Sequence, residues 1–141
     1  MYGLKIEKEY WMDIVDGNRQ NDVRLIDTSI RGRIALIDSE TYEILGYAKL
    51  IKTRRITYEE YLIWHITDIF SKDRTMEYVN NMDFAKLNEP AYSYELEGAE
   101  EADVPLIANP INENKIWIKF DMEDCTKGYS QLSLFDIYNL K

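Results

Sequence analysis

Four consecutive apolar residues, Ile34-Ala35-Leu36-Ile37, stand between Gly32 and Asp38-Ser39 and limit the fold more than any other stretch. Successive strand residues point to opposite faces, so an unbroken apolar run needs cover on both sides or a place in a barrel wall. The flanking segments read as further strands at short, turn-separated spacing. Leu4-Lys5-Ile6 reads as a first strand, 23–28 as a second, and Gly32 centres the turn before the apolar run. The segment 42–56 reads as a long strand, broken or bulged at Gly46, and 91–96 alternates after Pro90. The segment 98–103 reads as an acidic loop. In 115–120, Ile116, Ile118 and Phe120 share one face and Lys115, Trp117 and Lys119 the other. Strands spaced this way favour a small barrel over an open sheet.

Two helices accompany them. In 7–16, Tyr10, Trp11, Ile14 and Val15 form one apolar stripe, and Gly17 ends the helix. Thr57-Tyr58-Glu59-Glu60 is a capping signature. It predicts a helix to about Phe70 that contains His65, read as a partly buried or surface histidine or, alternatively, as a cleft-facing acid or hydrogen-bond donor. The segment 71–82 is polar and ambiguous.

The chain has 141 residues, enough for one domain with its own core. It has one Cys and one His, which excludes an internal disulfide, a multi-cysteine zinc site and a two-histidine metal motif. No cofactor is expected. The absence of a leader-like or membrane-length apolar run makes a cytoplasmic protein the expectation. The net charge of −9 is uneven: residues 1–56 carry 10 Lys+Arg against 9 Asp+Glu, residues 57–141 carry 7 against 17. An acidic whole disfavours non-specific phosphate-backbone binding. A local basic groove from Arg31, Arg33, Lys49, Lys52, Arg54 and Arg55 remains open, beside the plainer reading of solvated strand charges.

Between the first helix and the second strand lies Gly17-Asn18-Arg19-Gln20-Asn21-Asp22-Val23-Arg24, the pattern G-x-[K/R]-x-x-[E/D]-x-R. On a strand Asp22 and Arg24 point the same way, and Arg19 in the preceding loop is expected to fold towards them. The corner is either a binding site or an ion pair closing a barrel mouth.

This octapeptide, in this place, resembles the ASCH domains of the PUA-like superfamily, with Arg19 for Lys and Asp22 for Glu. Gly32 to Leu36, Gly46-Tyr47-Ala48, the Thr57 helix start and the segments around Glu89 to Tyr92 and Lys115 to Trp117 fit the same pattern, over roughly residues 3–120. The resemblance implies an α+β domain, a small PUA-like barrel of about 5–6 strands with flanking helices, over residues 1–121. It implies a cleft lined by the motif that binds RNA or a nucleotide-like molecule through Arg19, Asp22, Arg24, Tyr47 and His65. A branch of the family looks like an amidohydrolase on acetylated cytidine, using a Lys, a Thr and a Glu. Its Lys falls at Arg19 and its Thr at Asp22. An arginine stays protonated and is no base, so binding is expected over catalysis.

Residues 122–141 read as a tail, free or docked on the barrel. The tail holds Gln131-Leu132-Ser133-Leu134-Phe135, which resembles the pentapeptide that bacterial proteins dock on the replication sliding clamp. Average residue usage yields that pattern on the order of 10⁻³ of the time or less in such a chain. The alternative is a terminal segment packed on the core, with Leu134, Ile137 and Tyr138 at helical spacing.

Overall fold

The computed structural model describes residues 1–66, 86 and 88–127. The chain runs β1 (Tyr2–Ile6), α1 (Lys8–Val15), β2 (Asn21–Arg24), β3 (Gly32–Asp38), β4 (Ile44–Thr57), α2 (Tyr58–Ile66), β5 (Pro90–Glu101), β6 (Leu106–Ile107), β7 (Asn112–Glu113), β8 (Trp117–Lys119) and β9 (Thr126–Lys127). Seven strands form one sheet in the order β2-β5-β4-β3-β1-β8-β7, and β6 and β9 pair separately. Neighbours are antiparallel except β1 and β3, which run parallel. No helix among the described residues is long and apolar enough to cross a membrane.

The apolar run of β3 explains the layering. Ile34 and Leu36 point into one cluster with Leu4, Ile6, Leu50 and Tyr94, closed over by Tyr10, Trp11 and Ile14 of α1. Ala35 and Ile37 point the opposite way, into Ile44, Ala108, Ile118 and Phe120. Both faces are therefore dry, and the four side chains are no more than 1% exposed. Full burial of a Leu or Ile is worth roughly 1.5–3 kcal/mol. A third cluster, Val23, Ile56 and Ala91, takes Tyr61 and Trp64 of α2. Gly17 ends α1 as expected, at φ +83°, and the Glu60 N–H donates to Thr57 Oγ1 at 3.0 Å at the start of α2.

The small barrel is not closed. The sheet has seven strands with β2 and β7 as its edges, and these two do not pair. β2 has four residues, all paired with β5, and β7 has two, both paired with β8. Side chains bridge the seam instead. Arg24 of β2 donates from Nη2 to the Lys5 carbonyl of β1, and Tyr94 of β5 stacks on Trp117 of β8 with centroids 6.2 Å apart.

Two boundaries also differ from the sequence reading. β2 covers Asn21–Arg24 rather than 23–28, because pairing with β5 ends at Arg24↔Tyr92 and a side-chain-capped turn follows, with Thr28 N–H on Asp27 Oδ1. The expected acidic loop at 98–103 is largely strand. β5 passes through Gly98, at φ +64°, and continues to Glu101 opposite Gly46. Its glutamates lie against the basic strands: Arg33 pairs with Glu100 at 2.6 Å and Arg54 with Glu95 at 3.2 Å. That register accounts for part of the supposed basic groove as an exposed cross-strand ladder. Gly46 does mark a bulge, where Leu45 is skipped in the pairing with β3. Beyond Asp121, a 3-10 turn (Met122–Asp124) and the β9–β6 pairing keep the chain on the fold through Lys127. The helix reading beyond Ile66, the segment 71–82 and the pentapeptide Gln131 to Phe135 lie outside the described residues.

Candidate functional site

A cleft of about 290 Å³ opens where β1, β2 and α2 meet beneath the start of α1. Strand alternation aims Asp22 and Arg24 to the same side, and both line it. Arg24 Nε bonds Asp22 Oδ2 at 2.5 Å, so a carboxylate that is 3% exposed is matched by a fixed guanidinium. The second guanidinium contact, to the Lys5 carbonyl, pins the fork between two strands.

α2 supplies the opposite wall. Tyr61 and His65 stand one helical turn apart and both face the cleft. His65 is buried. Its ring meets Tyr61 edge-on at 4.5 Å and Trp64 at 4.9 Å, and its Nδ1 lies 3.1 Å from the Tyr10 hydroxyl. Burial, with added repulsion from Arg19 and then Arg24, lowers its pKa from 6.5 to about 4. At neutral pH the imidazole is therefore uncharged. Its bond with Tyr10 is compatible with either donor direction, depending on the tautomer.

Arg19 is placed differently from the sequence expectation. It does not join Asp22 and does not line the cleft. Gly17 reverses the chain, and the Asn18 and Arg19 N–H groups both donate to the Asp13 carbonyl. The Arg19 side chain then folds back along α1. Its Nε meets Asp13 Oδ2 at 3.2 Å, Nη1 donates to the Trp64 carbonyl at 3.3 Å, and the guanidinium lies 3.9 Å from the Trp64 ring centroid. Arg19 thus ties α1 to α2 behind the aromatic wall. Tyr47 is also apart from the cleft. It packs against the second core cluster, under Arg33 at 4.5 Å, with its hydroxyl 3.9 Å from Met122 Sδ. Burial is the first cause of its raised pKa. The bulge at Leu45 and the alternation of β4 send Tyr47 to the face opposite Ala48, which belongs to the first cluster.

The sequence reading missed Lys5, Tyr10, Tyr61 and Lys115 as cleft residues. Tyr10 was visible only as part of an apolar stripe. The four-residue spacing of Tyr61 and His65 was the available signal. Lys5 and Lys115 come together because the Lys5 N–H donates to the Ile116 carbonyl at 2.8 Å, a contact across 111 positions that no local pattern announces. The Lys5 ammonium binds Glu113 at 2.7 Å and the Asn114 carbonyl at 2.8 Å, over the Tyr42 ring. Partial burial alone would depress its pKa, but the bonds to Glu113 and Tyr42 outweigh this and raise it. Among the described residues, no group of three His, Cys, Asp or Glu side chains is placed to hold a metal ion.

No protein-family model matches the chain, and no curated protein does. Among solved structures it is similar to crystal structures of the ASCH protein of Zymomonas mobilis. The protein itself superposes with a TM-score of 0.48 at 15% identity, over 74% of this chain and 69% of that one. Two of its point mutants give 0.48 at 18% identity, over 79% and 74%, and 0.49 at 16% identity, over 74% and 70%.

Proposed function

We propose that the chain is a PUA-like, ASCH-type binding module whose cleft takes a nucleoside-like ligand, as a free nucleotide or as an exposed nucleotide of RNA. The observation that carries this reading is the convergence of a fixed Asp22–Arg24 pair and an uncharged aromatic wall on one cleft. A flat heterocycle needs both. Tyr61, partly exposed on the cleft wall, offers its ring to a base, and base–aromatic contact is worth about 1–3 kcal/mol per base. Asp22 accepts from an exocyclic amine, and Arg24 donates to a carbonyl or ring nitrogen. The motif, in its place between a helix and a strand, supports the family reading. Hydrolysis of a modified nucleoside is disfavoured, because the residue matching the expected lysine is Arg19, held by Asp13 and Trp64. The test is calorimetric titration with the common nucleosides, their monophosphates and short single-stranded RNAs. Binding that falls at least about tenfold in Asp22→Asn supports the reading. Saturation by none of these ligands at millimolar concentration removes it.

A second reading rests on the tail sequence alone. We infer that Gln131-Leu132-Ser133-Leu134-Phe135 docks in the groove of a bacterial sliding clamp, with Leu132, Leu134 and Phe135 as apolar anchors. Several kcal/mol of ordering cost brings the balance to about micromolar affinity. A pull-down with purified clamp should retain the chain and lose the Gln131→Ala/Phe135→Ala variant. Equal recovery of both, or of neither, ends this reading.

A further inference from the structure

A second hollow, of about 220 Å³, shares no lining residue with the cleft. Lys8, Trp11 and Met12 lie on one face of α1 and form one side of it. Ile44 and Leu45, at the start of β4, and Val104 complete its apolar lining. Trp11, Ile44 and Leu45 are buried, whereas Met12 is 43% and Val104 56% exposed. Two large apolar side chains therefore stand in water at the mouth of an apolar hollow. Pockets for small molecules run to about 300–1,000 Å³, so this hollow suits the side chains of a polypeptide better than a free ligand.

The chain itself is led to this place. β9 pairs antiparallel with β6, with Lys127 opposite Leu106. Continued in that direction, position 128 comes to Pro105 and position 129 to Val104. Pro105 has no N–H to give, so the ladder stops there and the chain is released at the mouth of the hollow. The strand that delivers it is fixed on both sides. The Ala102 N–H donates to the Leu45 carbonyl at 3.1 Å, and Ile107 bridges to Glu43. Residues 128–141 then carry Leu132, Leu134, Phe135, Ile137 and Tyr138. Eight residues separate Lys127 from Phe135, a reach of at most about 26–29 Å.

We propose that residues 132–138 dock in the hollow between α1 and the start of β4, and that this docking withholds the pentapeptide Gln131 to Phe135 from any partner. Charge favours the chain's own tail over a second copy. A second molecule brings a net charge of −9 against −9, whereas residues 128–141 carry only Asp136 against Lys141. The tether is short, which sets an effective concentration of about millimolar. A weak apolar contact is then enough to keep the tail in place. The docking does not rest on the clamp reading; only the competition with a clamp does.

The test uses the full chain. Hydrogen exchange should show the amides of residues 132–138 protected at least about tenfold over a free peptide of that sequence. Met12→Lys and Val104→Asp, both at exposed positions, should each remove that protection and leave exchange in β3 unchanged. In a Cys125→Ser background, the pair Met12→Cys/Phe135→Cys should close a disulfide within one molecule under mild oxidation. It should do so at least about tenfold faster than Ile51→Cys/Phe135→Cys. Ile51 is exposed on β4, seven residues and about 20 Å from Ile44. Unprotected amides, protection that survives both groove variants, or equal closure of the two pairs overturns the proposal. Disulfides formed between molecules assign the hollow to a second copy and overturn it too. Purified sliding clamp adds the last arm. Met12→Lys should tighten clamp binding by the same factor as the protection it removes. Equal clamp affinity in both forms overturns the competition. Clamp binding by neither form ends the clamp reading, and protection lost in the groove variants then still upholds the docking.

Discussion

Arg19 spends its guanidinium on Asp13 and Trp64, and that choice converts a candidate ligand contact into a tether between helices. The Arg19 and Asp13 side chains are 11% and 4% exposed, so removing one strands the other in a poorly solvated place. Arg19→Ala should therefore cost about 3 kcal/mol and lower the melting temperature by about 10 °C. A melt unchanged within error would show that the tether is idle. His65 supplies a second expectation. Its pKa in the folded chain, about 4, lies below the ordinary 6.5, so the unfolded chain binds more protons across that window. Stability from this group is complete above pH 6.5 and falls as the pH drops towards 4, by about 3 kcal/mol in all. Urea midpoints measured from pH 7 to 4 should show that loss, and His65→Gln should flatten it. An identical acid limb in the variant assigns the loss to other groups.

Elements were legible where their signal was local. The β3 run carried its two-sided burial in four letters, Gly17 and Thr57 announced a helix end and a helix start, and Gly46 announced a bulge. The reading failed where partners decide. Asp22 and Arg24 could be paired from their spacing, but Arg19 could not be given to Asp13, because the reversal at Gly17 acts on the chain after the pattern ends. The acidic stretch after Leu96 looked like a loop because its partner, the basic β4, is not visible from within it. The bulge makes a sharp prediction at this scale. A Cβ on Gly46 would lie 2.2 Å from the Glu100 carbonyl oxygen and 2.3 Å from the Trp11 ring. Gly46→Ala should destabilise the fold by about 2–4 kcal/mol, since both the β4–β5 ladder and α1 must shift. Chemical denaturation reads this directly, and a cost below about 0.5 kcal/mol would mean that the bulge relaxes freely.

Across the whole molecule, the sheet rolls far enough for its β2–β5 side to meet β1 and β8, yet it does not join edge to edge. The contact between Tyr94 and Trp117, both buried, holds that roll. Trp117→Ala should cost about 3–5 kcal/mol and should lower hydrogen-exchange protection in β2 and β8 more than in the β3–β4 pair. Uniform loss of protection would show that the seam and the sheet open together. A seam spanned by Arg24 has a further consequence. A closed barrel can change its bore only by adding a strand or shifting a register, and either change moves every core residue. Here side chains cross the seam, Arg24 to the Lys5 carbonyl and Tyr94 on Trp117, so a substitution at position 24 can alter one crossing while every β3–β4 pairing stays where it is. The same cleft can thus be fitted to ligands of different girth by drift at one site, on a scaffold that never has to refold to follow.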